Sequence, residues 1–522
     1  METILSLYER TLSEKNPDTT AIRWVDSHLN MTPITWRMLE NESNNRAIYL
    51  TQLGCRPGHH VFIFLESSIE IWYFFWAALK CGAVPCVLFP DFGSDALGAR
   101  LQSGRADWII TDRWNEKNVG AIRSYFSLKK IILLGEPSGI PDTRMALFHR
   151  ESTTNDSFPL YPAIETDPAF IVFTSGSTGF PKAVVHTHRC AESILRSMQN
   201  VLQVQNDDIY WCTAHPAWIT GTVYGVIGPL IAGVESVQYS GNFHARRWMP
   251  ILQNQEVSVW YSAPTAFRSL MTQPIEFFTK FDFSNLREIF SIGEPLNPAV
   301  YYWGKEIFQR EIRDTWFQTE AGTIRIANLP GKLIKPGYMG MPVDDALPVI
   351  LDEQGKECSA GQVGRLCLKA GWQSCFADYF GQHDAYLSKF QNGYYQTGDL
   401  AFQDMDGYFC FVGRDDDVIN TSGHLVGPFE VESVLLEQPE IAEAGVVAAP
   451  DPLLYEKVAA FIVLKTGVEW TSELETRLAV AVTTRLSTQA TPRQFIVVNA
   501  LPKNPAGKIL RNELRKRLRS QS

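Results

Sequence analysis

Ten consecutive residues, Phe173-Thr174-Ser175-Gly176-Ser177-Thr178-Gly179-Phe180-Pro181-Lys182, crowd four hydroxyls, two glycines and a lysine together just after the apolar run Ala169 to Val172. Backbone N–H groups and side-chain hydroxyls packed this way can converge on phosphate oxygens, and the ammonium adds a point charge, so the chemistry on offer is anion binding. The loop is not a Walker A motif. Pro181 stands where that motif has its second glycine, and Ala183 follows the lysine in place of Ser or Thr. Taken by itself, a Ser/Gly run of this kind reads equally well as a surface turn. The other reactive side chains give less. The nine cysteines are scattered with no CxxC pair, so spacing encodes neither a zinc site nor a disulfide framework, and they read as reduced core thiols. The cluster Asp415-Asp416-Asp417 reads as a solvated turn or as a hinge.

Such a loop must be positioned by strands and helices. Between Trp36 and Arg123, short apolar runs (His60 to Leu65, Val84 to Phe89, Trp108 to Thr111) read as strands, with Ile69 to Lys80 as an intervening helix. The alternation predicts layered α/β structure with parallel strands. It resumes after the polar connection Glu151 to Pro162 and continues through Val257 to Tyr261 and Glu288 to Ile292. At Arg414 the texture changes to the acidic cluster, a Gly-containing turn and about a hundred residues of mixed strand and helix pattern. A large domain of α/β subdomains over 1–415 and a small α+β domain over 416–522 are therefore expected.

With 522 residues, 45% of them hydrophobic and 20% charged, the chain can bury a large core and exceeds one ordinary domain. A net charge of -10 disfavours nucleic acid or an anionic membrane as main partner. The N-terminal stretch carries Glu2, Glu9 and Arg10 and has no basic-then-apolar leader pattern, and the apolar run Ile71 to Leu79 is far shorter than a membrane span. A cytoplasmic enzyme acting on small molecules is the expectation.

The Ser/Thr/Gly loop resembles the phosphate loop of the adenylate-forming superfamily, which includes acyl-CoA synthetases, luciferases and nonribosomal-peptide adenylation domains. Four more motifs follow in family order. Asp314-Thr315-Trp316-Phe317-Gln318-Thr319-Glu320-Ala321-Gly322 is similar to the aromatic-Gln-Thr-Glu segment, and Tyr395-Gln396-Thr397-Gly398-Asp399 to the TGD motif. Gly413-Arg414-Asp415-Asp416-Asp417 is similar to the hinge, and Pro502 to Lys508 to the terminal PxxxxGK. The strings Trp211-Cys212-Thr213-Ala214-His215-Pro216-Ala217-Trp218-Ile219-Thr220-Gly221, Trp260-Tyr261-Ser262-Ala263-Pro264 and Ser291-Ile292-Gly293-Glu294-Pro295 resemble the acetyl-CoA synthetase-like branch.

The resemblance implies a ligase that uses ATP, Mg²⁺ and CoA to activate a small carboxylic acid as acyl-AMP and pass the acyl group to CoA. Phosphates would be held by Thr174, Ser175, Gly176, Ser177, Thr178, Gly179 and Lys182. Thr319 would reach the α-phosphate, and Glu320 would ligate Mg²⁺, a hard cation that shares phosphate oxygens. Gly293, Glu294 and Pro295 would flank the adenine, with the segment Asp314, Thr315, Trp316, Phe317 and Gln318 beside the nucleotide. Asp399 would accept from both ribose hydroxyls, a task suited to a carboxylate, and Arg414 would be a second ribose contact. Lys508 would bridge carboxylate and α-phosphate during adenylation. Asp416 matches the pivot about which the small domain turns for thioester formation, and Gly423 would line the pantetheine tunnel. Trp218, Ile219, Thr220, Ile292 and Phe317 would wall the acyl pocket, where acetate-specific relatives place a second tryptophan at the Phe317 position. That change implies room for an extra methyl or ethyl group, with Ile219 and Ile292 pulling the other way.

The chain departs from the family pattern at Leu425, where an arginine is typical, at Tyr455, at Ala183 and at His215. These departures leave open an adenylating enzyme that serves a separate carrier-protein thiol or an amine instead of CoA. The basic run Arg511 to Arg519 reads as a solvated helix face.

Overall fold

The computed structural model describes residues 1–122, 128–135, 144–148, 157–175, 181–343, 345, 347–421, 424–451, 455–503 and 508–521. The first parallel sheet runs Val84–Val87, His60–Phe64, Trp108–Asp112, Lys130–Leu134, Met145–Phe148 in spatial order. Its strand His60–Phe64 is buried at every position, as expected of a central strand covered on both faces. The helix Glu70–Lys80 is likewise buried from Ile71 to its end, including Trp72, Phe74, Phe75 and Trp76. An all-round apolar helix of this length belongs inside a core.

The second sheet has nine strands in the order Met341–Pro342, Ile326–Ala327, Ile312–Trp316, Glu288–Ser291, Val259–Ser262, Ile209–Cys212, Glu235–Tyr239, Thr20–Val25, Met31–Thr35. The six from Ile312–Trp316 to Thr20–Val25 are parallel, and the flanking ones antiparallel. The main apolar cluster joins both parallel sheets and the hairpin Pro168–Ser175/Pro181–Thr187, through side chains such as Val61, Ile63, Tyr210, Val259, Val172 and Val184.

An antiparallel sheet and a mixed one, in which Gln494–Val497 runs parallel to Tyr455–Leu464, follow. The first contains Pro348–Leu351, Gly364–Lys369, Tyr394–Gln403, Phe390–Gln391 and Phe409–Arg414. The alternation read from the sequence did not foresee it. The other, with Ile419–Thr421, His424–Val426, Ile441–Asp451, Tyr455–Leu464 and Gln494–Val497, starts just past the acidic cluster, and its two apolar clusters draw only on residues from Ile419 onward. The chain is thus a large N-terminal α/β domain followed by a smaller C-terminal one.

The basic helix Arg511–Gln521 corrects its sequence reading. Leu514 and Leu518 are buried, Arg511 pairs with Glu432 at 2.5 Å and Arg515 with Asp417 at 2.5 Å, so one face is packed instead of solvated. Among the described residues, no helix is long and apolar enough to cross a membrane.

Candidate active site

The glycine- and hydroxyl-rich loop is the connection of a hairpin: Thr174 lies opposite Lys182 and Ser175 opposite Pro181 in antiparallel register. Gly176, Ser177, Thr178 and Gly179 lie outside the described residues, as does Gly423. The hairpin fixes where Lys182 emerges. Its ammonium sits 4.8 Å from the ring centroid of Tyr379, on the short strand Asp378–Tyr379 that pairs with Pro181–Thr187. The Tyr379 hydroxyl donates to Glu320 Oε1 at 2.7 Å. Burial and the Glu320 carboxylate both push the Tyr379 hydroxyl's pKa up, so it stays a donor. Lys182, Tyr379 and Glu320 are thereby held in one row.

Thr319 and Glu320 open a single 3₁₀ turn after Ile312–Trp316. The turn ends at Gly322 with φ +80°, where a Cβ would lie 2.3 Å from the Ser374 carbonyl oxygen. No other residue type fits there. The ring of His186 underpins the turn: Nε2 lies 2.8 Å from the Thr319 carbonyl oxygen, and the ring stacks on Phe170 at 5.0 Å. Burial lowers the His186 pKa to about 4, so near neutrality the imidazole is uncharged and donates through Nε2. Sequence reading missed His186 and Tyr379, because both meet the motif only through pairing across the three-stranded sheet.

Asp399 gathers donors from three side chains. It is 3% exposed, on the long strand Tyr394–Gln403. Trp316 Nε1 donates to Oδ2 at 3.1 Å, Gln318 Nε2 to the same oxygen at 3.0 Å, and Arg414 to Oδ1 at 2.9 Å. Asp399 Oδ1 and Arg414 are neighbours by register, since Asp399 and Arg414 oppose each other across the two strands. Gly398, at φ +75°, lets them meet, for a Cβ there would sit 3.0 Å from the guanidinium. Burial raises the Asp399 pKa, opposed by Arg414 and then by the charge of Lys508. Lys508, carried by the C-terminal domain, therefore acts on the same carboxylate as Trp316, Gln318 and Arg414 of the large domain.

The turn at Gly293 to Pro295 and the residues behind it are held differently. Glu294 accepts from Thr265 at 2.7 Å and pairs with Arg268. Asp314 is buried, accepting from the backbone N–H groups of Leu296 and Thr315, and burial pushes its pKa well up. The Thr315 hydroxyl donates to the Ser291 carbonyl at 2.7 Å. Asp314 and Thr315 thus frame the Gly293-Glu294-Pro295 turn from behind.

Ile219, Thr220, Ile292 and Phe317 are each 6–8% exposed, so a small edge of every one reaches open space. Trp218 packs edge-on to Phe89 at 5.0 Å, and Phe89 stacks on His215 at 5.1 Å. Burial lowers the His215 pKa to about 4. After Thr220 the backbone enters a π-helical stretch, Gly221–Ile227, a geometry frequent at functional sites. From it Tyr224 sets its ring edge-on to Phe317 at 5.6 Å. Its hydroxyl donates to Ser197 Oγ, on a second π-helical stretch, Ser197–Val201, and accepts from Ile324 N–H. Phe317 is thus backed by a locked ring, which sequence reading did not anticipate. Nearby thiols are quiet: burial pushes Cys212 and Cys375 up to about 12 and Cys367 to about 11.

Asp416 is 65% exposed along its side chain, 3.7 Å from Arg414 Nε, while Arg515 bonds the Asp416 carbonyl and the Asp417 carboxylate. Leu425 is 54% exposed on a hairpin, opposite Asn420. Among the described residues no cluster of three or more metal-ligating side chains occurs. One carboxylate, Glu320, beside the hairpin that carries Lys182 fits Mg²⁺, which is bound by one or two carboxylates plus substrate phosphates and water.

The arrangement agrees with what the chain is similar to. A family model described as AMP-binding enzyme matches residues 9–375, and one described as AMP-binding enzyme C-terminal domain matches 430–508. The acetyl-coenzyme A synthetase of Bacillus subtilis is 38% identical over 483 residues, 92% of this chain and 84% of that protein. A Brucella canis acyl-CoA synthetase structure is 30% identical with TM-score 0.76, covering 100% of this chain and 95% of that one. An anthranilate CoA ligase in complex with anthranoyl-AMP is 27% identical with TM-score 0.89, covering 100% and 98%. With one family model covering residues 9–375, a second covering 430–508, and a relative 38% identical over 92% of its length, the chain belongs to the AMP-binding, adenylate-forming enzymes.

Proposed function

We propose that this enzyme is an AMP-forming acyl-CoA synthetase for short-chain acids, acting on acetate, propionate or butyrate with ATP, Mg²⁺ and CoA. The observation that carries the reading is the convergence on Asp399 of Trp316, Gln318 and Arg414 together with the charge of Lys508. In the first step, a carboxylate oxygen attacks the α-phosphorus of ATP and pyrophosphate leaves with the electron pair of the α–β bridging bond. The repulsion between two anions is overcome by fixed cations and hydrogen-bond donors, so the protein's task is placement and charge. Lys182 and the hairpin hydroxyls hold phosphates, Thr319 takes the α-phosphate, Asp399 and Arg414 take the ribose, and Lys508 bridges the reacting groups. Mg²⁺ bound through Glu320 supplies neutralisation of the phosphate charge. In the second step the CoA thiolate attacks the acyl carbonyl and AMP departs.

The site roles are proposals, as are the boundary between residues 415 and 416, rotation of the small domain at Asp416 and a cytoplasmic address. The boundary is supported by the separate apolar clusters of the C-terminal sheet. Measuring pyrophosphate release across straight-chain acids from acetate to octanoate, then AMP and thioester formation with and without free CoA, tests the reading. We expect release with the short acids and CoA-dependent thioester. Release followed by no thioester would hand the reaction to another acceptor, and an optimum at hexanoate or longer would overturn the substrate class.

A further inference from the structure

Lys389 lies between the short helix His383–Leu387 and the strand Phe390–Gln391, outside all the family motifs. Its backbone is pinned on both sides: N–H donates to the Tyr386 carbonyl at 3.0 Å, and its carbonyl accepts from Gln396 N–H at 2.7 Å. Gln396 is on the strand that carries Asp399, so the side chain leaves from a fixed point beside the site. The ammonium lies 6.0 Å from the ring centroid of Tyr395, whose hydroxyl donates to Gln318. It feels the charges of Glu320, Arg414, Lys182 and Asp399.

These charges do not balance locally. Asp399 is matched by Arg414, and Glu320 accepts from Tyr379. Neither Lys182 nor Lys389 makes an ion pair among the described residues. Lys389 is half-buried, and burial lowers its pKa, which is the cost of keeping a cation from water without a bonded counter-ion. Two unmatched ammonium groups near one carboxylate make a place for a multiply charged anion. Because its neighbours include the phosphate-hairpin lysine and the Mg²⁺-side carboxylate, the anion concerned is the distal part of the nucleotide.

We infer that Lys389 is a further phosphate-binding cation, contacting the β- and γ-phosphates of ATP alongside Lys182. The inference rests on the adenylating reading above. It makes Lys389 selective for ATP over AMP, since AMP has no distal phosphates. The test is titration of the full-length protein with MgATP and, separately, with AMP, in the wild type, Lys389→Met and Lys389→Arg. Loss of one charge-assisted hydrogen bond predicts roughly a tenfold or greater fall in ATP affinity for Lys389→Met, with AMP affinity within about twofold and partial recovery in Lys389→Arg. Equal losses for both nucleotides, or unchanged ATP affinity, would overturn the inference. If Lys389→Met fails to fold, Lys389→Gln is read in the same way. A wild type that binds neither nucleotide defeats the adenylating reading itself, whereas a wild type that binds both with an unaltered variant defeats only the role of Lys389.

Discussion

The surroundings of Phe317, proposed as the acyl pocket, and the seam between the two domains differ in what they are built from. The pocket rests on buried rings and methyls: Phe317 against Tyr224, Tyr224 against Tyr261, Ile219 and Ile292 nearly covered. At the seam Asn297 Nδ2 donates to Ser433 Oγ at 2.9 Å and Arg414 Nε lies 3.7 Å from the Asp416 carboxylate, beside Phe411 and Phe429, which meet edge-on at 6.5 Å. A close-packed apolar wall resists any change of shape. Polar contacts of this kind contribute about 0.5–1.5 kcal/mol each, because water replaces them when they part. On the proposed reading, substrate size would be set by the close-packed part, and the switch between half-reactions by contacts that exchange cheaply.

The largest effect should come from the seam side. Lys508→Ala is expected to cut acyl-AMP formation by roughly 10²–10³-fold, the scale for one electrostatic transition-state contact, while thioester formation from supplied acyl-AMP stays largely intact. Single-turnover assays of the two half-reactions decide it, and equal losses in both would remove the distinction between fixed and exchanging parts.

On the pocket side, Phe317→Trp should narrow the acid range toward acetate. The relevant scale is the discrimination of a methylene by a pocket, about 1–3 kcal/mol, read as the kcat/KM ratio of butyrate to acetate. Because Tyr224 is held by two hydrogen bonds behind Phe317, the larger indole has to grow into the pocket rather than away from it. An unchanged ratio would mean that the wall yields.

Leu425→Arg addresses the hairpin of the small domain, where a half-exposed leucine replaces the family's arginine. Adenylation should speed up, by up to about 1.5–3 kcal/mol of barrier for a hydrogen bond to a charged group, with thioester formation unaffected. Unchanged or slower adenylation would show the site rebuilt around leucine. Smallest of all, Ser433→Ala should shift the balance of half-reactions by about 0.5–1.5 kcal/mol, favouring thioester formation over adenylation. A uniform loss in both would reassign that contact to simple stability.

Much of this was legible in the sequence where chemistry and local pattern coincide. The Ser/Thr/Gly loop follows an apolar strand, and the helix over Glu70–Lys80 and strands near His60, Val84 and Trp108 lie where their apolar runs put them. What was hidden depends on distant pairing. His186 reaches Thr319 across 133 residues, and Asn297 reaches Ser433 across 136. The antiparallel sheet that presents Asp399 was also missed, because its strand Tyr394–Gln403 alternates burial only from register with partners on both sides. The last helix misled because the five basic residues from Arg511 to Arg519 conceal the two leucines that dock it.

The muted thiols have a consequence for side reactions. Acyl-AMP is a mixed anhydride, ready to acylate any nearby sulfur anion, and the incoming acceptor is itself a thiol. A thiol at pKa about 12 is ionised to only about one part in 10⁵ near neutrality, against a few per cent for an ordinary one. Cys212, whose sulfur faces the Thr220 carbonyl, and Cys375 both fall in that silent class. Neither thiol would then compete as an anion with the acceptor thiol delivered from solution.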